Sequence, residues 1–349
     1  MRLKWRRWRE RIFSIYNDTF FLPGKKELCY SIPLGHSYCL DNTKFMSDNK
    51  RTIIQSGNKT IVLFCDTGRS YWLETITNVY ELFHNNIKKS SVQVVTFDFD
   101  VTILPKDIKP FHLVTLACLI HYLKSHGLDV FLSTNNNEVF HFIYDDLGFS
   151  EYWSRGKNFV DAPGHDSIFN LWRITEEGKD LYAKRVEEYL RRTYFANKDL
   201  SAVSVGLVEA YYNVFDHAQA KGNAFSLIQY DEETSVLHVA ISDFGIGIAQ
   251  SVSDYDKRIT NDKDAILKAL EDNFTVKSTD RNKGMGLSII IAPAKKARIF
   301  SHNGLVYKHD GVIEGFECEM SFPGTLIYYE IDLSQMDDEE IIDEFDFFN

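Results

Sequence analysis

From Thr52 to Phe149 the chain alternates short runs that are apolar at every second position with stretches whose apolar residues recur every three or four. The segments "TIIQ", "TIVLFC", "VQVVTFDFD" and "LDVFLS" carry the period of a strand. "SYWLETITNVYELFHN", "FHLVTLACLIHYLKSHG" and "NEVFHFIYDDLG" carry that of a helix, the last two stopped by Gly127 and Gly148. Strand and helix in alternation predict a small α/β layer domain over residues 21–155. Residues 150–175 hold two glycines, a proline and mixed charge, so a linker is expected at 156–180, followed by the helical "EEGKDLYAKRVEEYLRRTYF".

Beyond it, "SVGLVEAYYNVFDHAQA" places Val205, Val208, Tyr212 and Phe215 at helical spacing, with Glu209 and Asn213 on another stripe. Four residues on a 3.6-residue helix put that pair on one face, one turn apart. A carboxamide oxygen is a hard ligand suited to Mg²⁺, and a carboxylate beside it could take a proton from an attacking water; an exposed polar face is the plainer reading. "VLHVAISDFGIGIAQSV" reads as a strand running into Asp243, Gly245 and Gly247. An Asp at a strand end can accept a hydrogen bond from an exocyclic amine, and glycines let a ligand approach the main chain; a strand and turn would look the same. In "STDRNKGMGLSII", Gly284 and Gly286 precede the apolar "LSIIIAPAKKA", whose Leu287, Ile290, Ile291 and Ala294 suit a buried helix face. Glycines before a helix leave its first N–H groups open to phosphate.

Composition narrows the function classes. A net charge of -11 with 44% apolar residues argues against a surface wholly given to nucleic acid. The five cysteines show no CxxC or other metal spacing, which fits free thiols, and no apolar run is long enough to span a bilayer. A cytoplasmic protein is expected. The ends depart from the average: "MRLKWRRWRERIFSIY" predicts a basic amphipathic helix over 1–20, with Trp5, Trp8, Ile12, Ile15 and Tyr16 on one stripe. It docks on its own domain or meets an anionic partner such as nucleic acid or an acidic peptide. Residues 336–349 form an acidic tail interleaved with Phe345, Phe347 and Phe348.

The order E-x-x-x-N on a helix, then D-x-G-x-G after a strand, then G-x-G-L-S at a new helix resembles the N, G1 and G2 boxes of GHKL ATPases, histidine kinase-like ATPase domains. The resemblance covers about Leu181 to Asp332, with the domain placed at 181–335, and includes "FPGTLIYYEIDL" as closing strands with a turn at Gly324-Thr325. It implies a two-layer α/β sandwich, a mixed sheet covered by helices, that binds ATP with Mg²⁺. By resemblance Asn213 ligates the metal and Glu209 orients or deprotonates the nucleophile. Asp243 reads the adenine amine beside Gly245 and Gly247, with Thr325 as a second contact. Residues Ala249 to Lys283 form a lid, and Gly284, Gly286 and Leu287 cradle phosphate, helped by Lys277 or Lys283.

Two departures from related kinases stand out. Asp216 precedes His217 where a basic residue is common, and the helix "EEGKDLYAKRVEEYLRR" has no phosphoacceptor histidine. The stretch Val92 to Phe149 resembles in rhythm a STAS domain, the fold of anti-sigma-factor antagonists, with Thr102 as the one hydroxyl in "DVTILPKDIKP". These readings together predict an ATPase whose lid closure regulates a protein partner or a homodimer. The alternatives are an anti-sigma-type serine/threonine kinase acting on a STAS-like domain, and a non-catalytic ATP-dependent scaffold in bacterial signalling or defence.

Overall fold

The structure is a computed structural model that describes residues 53–86, 92–149, 152–153, 156–158, 167–220, 222–271, 274 and 286–338. The basic helix expected at 1–20 and tail residues 339–349 lie outside the described residues.

Strands β1 (Ile53–Ser56), β2 (Lys59–Phe64), β3 (Val94–Phe99) and β4 (Asp129–Thr134) form a sheet in that order, parallel except for the β1–β2 hairpin. Helix α1 (Arg69–Asn86) connects β2 to β3 and α2 (Pro110–Ser125) connects β3 to β4, each within a residue or two of the predicted span. The short α3 (Asn137–His141) is capped by Asn136, whose side chain accepts the Glu138 and Val139 N–H groups, and a π-helical turn, Phe142–Asp146, extends it.

The second sheet has the order β5-β6-β7-β9-β8, antiparallel throughout its described strands rather than the mixed sheet that the resemblance implied. Its strands are β5 (Trp172–Arg173), β6 (Ala224–Asp231), β7 (Val236–Asp243), β8 (Lys296–His309) and β9 (Val312–Asp332). Around it lie α4 (Lys179–Thr193), α5 (Ser201–Asn213), α6 (Gly247–Tyr255), α7 (Asp262–Ala269) and α8 (Gly286–Ile291). The sheet begins inside the stretch read as linker, since β5 pairs with β6 and Ile168 bridges to Gln229.

The alternation of each strand assigns its two faces to different neighbours. Ile228, Val239, Ile241, Ile327 and Tyr329 pack on α4, α5 and α8. The other face, Phe225, Leu227, Ala240, Phe300, Leu326 and Tyr328, belongs to the same core as β2–β4, α1 and α2. Helix α2 therefore lies between the two sheets, and 12 of its 16 residues are buried, which accounts for a sequence apolar on nearly every side. The result is a mixed α/β architecture in layers: sheet, helices, sheet, helices. Each large side chain buried in those layers contributes roughly 1.5–3 kcal/mol.

Three local expectations are corrected. Helix α8 stops at Ile291, two residues before Pro293, and the chain is already strand at Lys296, so "AKKA" leaves the helix. Gly324-Thr325 is no turn between strands: β9 runs through it, and the pairing with β8 slips between Ser301 and His302. The stripe that α5 buries is Val203, Leu207, Ala210 and Tyr211, while Val205 is 46% exposed. Gly206 lies on the buried side, where its missing side chain brings the helix against Ile290 of α8.

Candidate functional site

Helix α5 ends in Asn213 and passes into a π-helical turn, Val214–Ala218, closed by Gln219 at φ 50°. That turn matters because the Ala218 carbonyl accepts the Ile246 N–H at 2.7 Å, binding the end of α5 to the loop after β7. Gly245 sits between them: a Cβ there would lie 2.0 Å from the Ala218 oxygen. Gly247, at φ 76°, starts α6, and a Cβ on it would meet Ser301 Oγ at 2.6 Å. Gly324, at φ 104°, would put a Cβ 2.3 Å from the Asp243 carbonyl oxygen, so the bulge in β9 lies flat on this loop.

Asp243, the last residue of β7, is buried, and burial pushes its carboxyl up to about 7 even though it accepts from the Gly245 N–H at 2.9 Å and from Thr325. Thr325 is directly opposite Asp243 on β9, and its hydroxyl also accepts the Ile248 N–H at 3.3 Å. Behind them, Ser242 Oγ donates to the Thr325 carbonyl at 3.1 Å.

Across the cleft, the first residue of α8 lies on the polar stripe of α5. A Cβ on Gly286 would be 3.0 Å from Glu209 Oε2 and 3.7 Å from Asn213 Oδ1, so a side chain there would press on the Glu209 carboxylate. The cleft opens to solvent, and its about 790 Å³ of empty space includes that open side. Asn213, Asp243, Gly247, Gly286, Leu287 and Thr325 line it, together with apolar residues. This is the pattern of a ligand pocket, apolar with a few convergent polar groups.

The structure thus gathers six of the expected residues in one cleft. Glu209 stands at its edge beside Gly286, and Gly245 is behind the wall, shaping the loop rather than facing the space. Lys277, Lys283 and Gly284 lie outside the described residues. The expected lid from Ala249 to Lys283 starts with two packed helices: Ala249 and Val252 of α6 and Ala265 of α7 are buried against one another. Sequence reading missed Ile248, Ser251, Val252 and Phe274 as cleft residues. The i, i+4 pair Ile248 and Val252 was the available signal, of which only Val252 fell in the expected lid.

Among the described residues no group of three or more His, Cys, Asp or Glu side chains could hold a metal ion unaided. The donors beside Gly286, Glu209 Oε2 and Asn213 Oδ1, are hard oxygens. They fit Mg²⁺, which characteristically takes one or two protein ligands and completes its shell with phosphate oxygens and water.

Residues 180–304 match the family model of the histidine kinase-like ATPase domain. This segment is accordingly a histidine kinase-like ATPase domain of the GHKL type, which supports ATP binding by that part of the chain. Every candidate site residue falls within the match except Thr325, and the four-stranded sheet with α1 and α2 precedes it. No curated protein matches the chain. Among the described residues no helix is long and apolar enough to cross a membrane.

Proposed function

We propose that the cleft binds ATP with Mg²⁺, hydrolyses it, and that ordering of the lid on nucleotide alters contacts with a protein partner. The observation that carries this reading is the placement of two chemistries in one cleft. Asp243 with Thr325 marks the base end, and Asn213 with Glu209 and Gly286 marks the phosphate end.

At the base end a purine amine donates to the Asp243 carboxylate, which the Gly245 and Thr325 bonds hold in place. The apolar wall of Ile241, Ile248, Val252 and Ile327 encloses the ring. At the phosphate end Asn213 would hold Mg²⁺, which would supply neutralisation of phosphate charge. Glu209, one turn earlier on α5, accepts the proton of the attacking water. Gly286 opens α8 and lets phosphate lie against the Glu209–Asn213 stripe without a Cβ between.

Incubation with γ-labelled ATP and Mg²⁺, wild type beside Glu209→Ala and Asn213→Ala, tests the reading. Free phosphate from wild type, reduced at least a hundredfold in both variants, is expected of an ATPase. Label retained on protein would replace the hydrolase with a kinase, and binding without turnover would leave a nucleotide-dependent scaffold.

A further inference from the structure

Where α1 begins against the second sheet, four cations gather away from the cleft. Arg298 on β8 is directly opposite Tyr328 on β9, and the Arg69 guanidinium lies 6.0 Å from the same Tyr328 ring and 5.3 Å from that of Phe111. Arg298 stacks on Tyr307 at 4.4 Å. Lys296 stands opposite Glu330 on β9, and Lys109 immediately precedes α2. All four side chains are half-buried, and the Arg69 Nε is buried with no hydrogen-bond partner.

The carboxylates facing this group are few. Glu330 accepts from the Tyr328 hydroxyl at 3.1 Å and lies 3.9 Å from His238, whose other acidic neighbour is Asp231. Among the described residues none forms an ion pair with Arg69, Lys109, Lys296 or Arg298. Burial together with the nearby Arg298 charge holds the Arg69 guanidinium below its usual range. Two guanidiniums brought together beside Tyr307 and Tyr328, with Glu330 as the carboxylate that acts on Arg69, leave an excess of positive charge that a further anion would offset.

We propose that the acidic aromatic tail of this same chain, residues 339–349, docks on the Arg69–Arg298 recess. The tail supplies five carboxylates, Glu339, Glu340, Asp343, Glu344 and Asp346, with Phe345, Phe347 and Phe348 to set against the half-buried Tyr307. It starts within reach. Asp338 is held by Lys198 at 2.9 Å and is eight residues from Glu330, so the recess is at most about 28 Å away along the chain. Eleven further residues extend to about 36 Å. The tail would then bridge α1 and the β8–β9 edge. This inference is independent of the nucleotide reading.

Zero-length carbodiimide cross-linking of the full-length chain, followed by mass spectrometry, tests it. Lys296 and Lys109 should link to tail carboxylates within one copy, as judged from a mixture of light and heavy-isotope protein. The yield should fall about five-fold in Arg69→Gln/Arg298→Gln and in strong salt. Lys109→Gln at the half-buried rim serves as a second variant should the double change unfold the chain, and its Lys296 links should fall likewise. Tail links confined to other lysines, links only between copies, or yields unchanged in both variants would overturn the proposal. So would protection of Lys296 by inorganic phosphate alone with no tail link.

Discussion

The Cys118 thiol of α2 donates to the Ser242 carbonyl at 3.3 Å, one residue before Asp243, which lines the cleft. Asn223 ties the same point from the other side, its Nδ2 donating to the Cys118 carbonyl at 3.1 Å while its own carbonyl accepts the Phe244 N–H. Phe244 in turn meets Tyr80 of α1, ring centroids 5.3 Å apart. The helices of the first sheet therefore hold the loop that shapes the cleft. Cys118→Leu adds volume to a fully buried position and is expected to lower stability by about 1–3 kcal/mol and to weaken nucleotide binding with it. Thermal melts with and without ATP would measure both. In the native protein iodoacetamide should modify the exposed Cys65 and spare Cys118, whose thiol burial pushes well up.

Asp243 makes binding depend on pH. Its folded value of about 7 stands above the ordinary 3.8, so between those limits the folded, nucleotide-free chain keeps a proton that the unfolded chain has lost. The stability it contributes is full below the unfolded value and disappears as pH rises through about 7. Nucleotide reverses the preference, because a donating amine favours the ionised carboxylate. ATP affinity should rise about ten-fold from pH 6 to pH 8, with proton release on binding, and Asp243→Asn should bind weakly and without that slope. Calorimetric titrations in buffers of different ionisation enthalpy count the proton directly.

Gly245 and Gly57 predict opposite responses to the same change. A Cβ on Gly245 would fall 2.0 Å from a backbone oxygen that already bonds Ile246, so Gly245→Ala must separate the α5 turn from the loop. Loss of about 3 kcal/mol or more and of measurable nucleotide binding is expected. Gly57 has a φ of 57° but nothing within 4 Å of its Cβ position, so Gly57→Ala should lose only about 1–2 kcal/mol and leave binding intact. Denaturant unfolding of the two variants side by side would check the contrast.

The placement of the candidate cleft residues was legible where it is local. Glu209 and Asn213 are one helical turn apart whatever the helix packs on, and Asp243 ends a strand whose pattern is plain. The packing partners were less legible because they depend on residues far away in the chain. The α5 sequence offers two apolar stripes, and the buried one was decided by Gly206 meeting Ile290. Helix α2 did announce itself: apolar residues on nearly every side mean a helix enclosed by protein, yet nothing local names the second sheet as its cover. The Asp310-Gly311 turn of the β8–β9 hairpin, with both residues at positive φ, was a local signal left unread.

Glu209 offers the sharpest separation of binding from chemistry. Its Oε2 lies beside the position of a Cβ on Gly286, while Asp243 and Thr325, proposed to read the base, line the cleft elsewhere. Glu209→Gln keeps the shape and the hydrogen-bonding reach of the side chain but removes its ability to take a proton. ATP affinity should therefore change less than about three-fold, while phosphate release falls by a factor of about 10²–10⁴. Gly286→Ala should do the reverse, pushing a methyl group against Glu209 and Asn213 and weakening nucleotide binding before any chemistry begins. If Glu209→Gln instead lost affinity and kept its turnover at saturating ATP, the carboxylate would be a ligand of the bound nucleotide and its metal rather than the base.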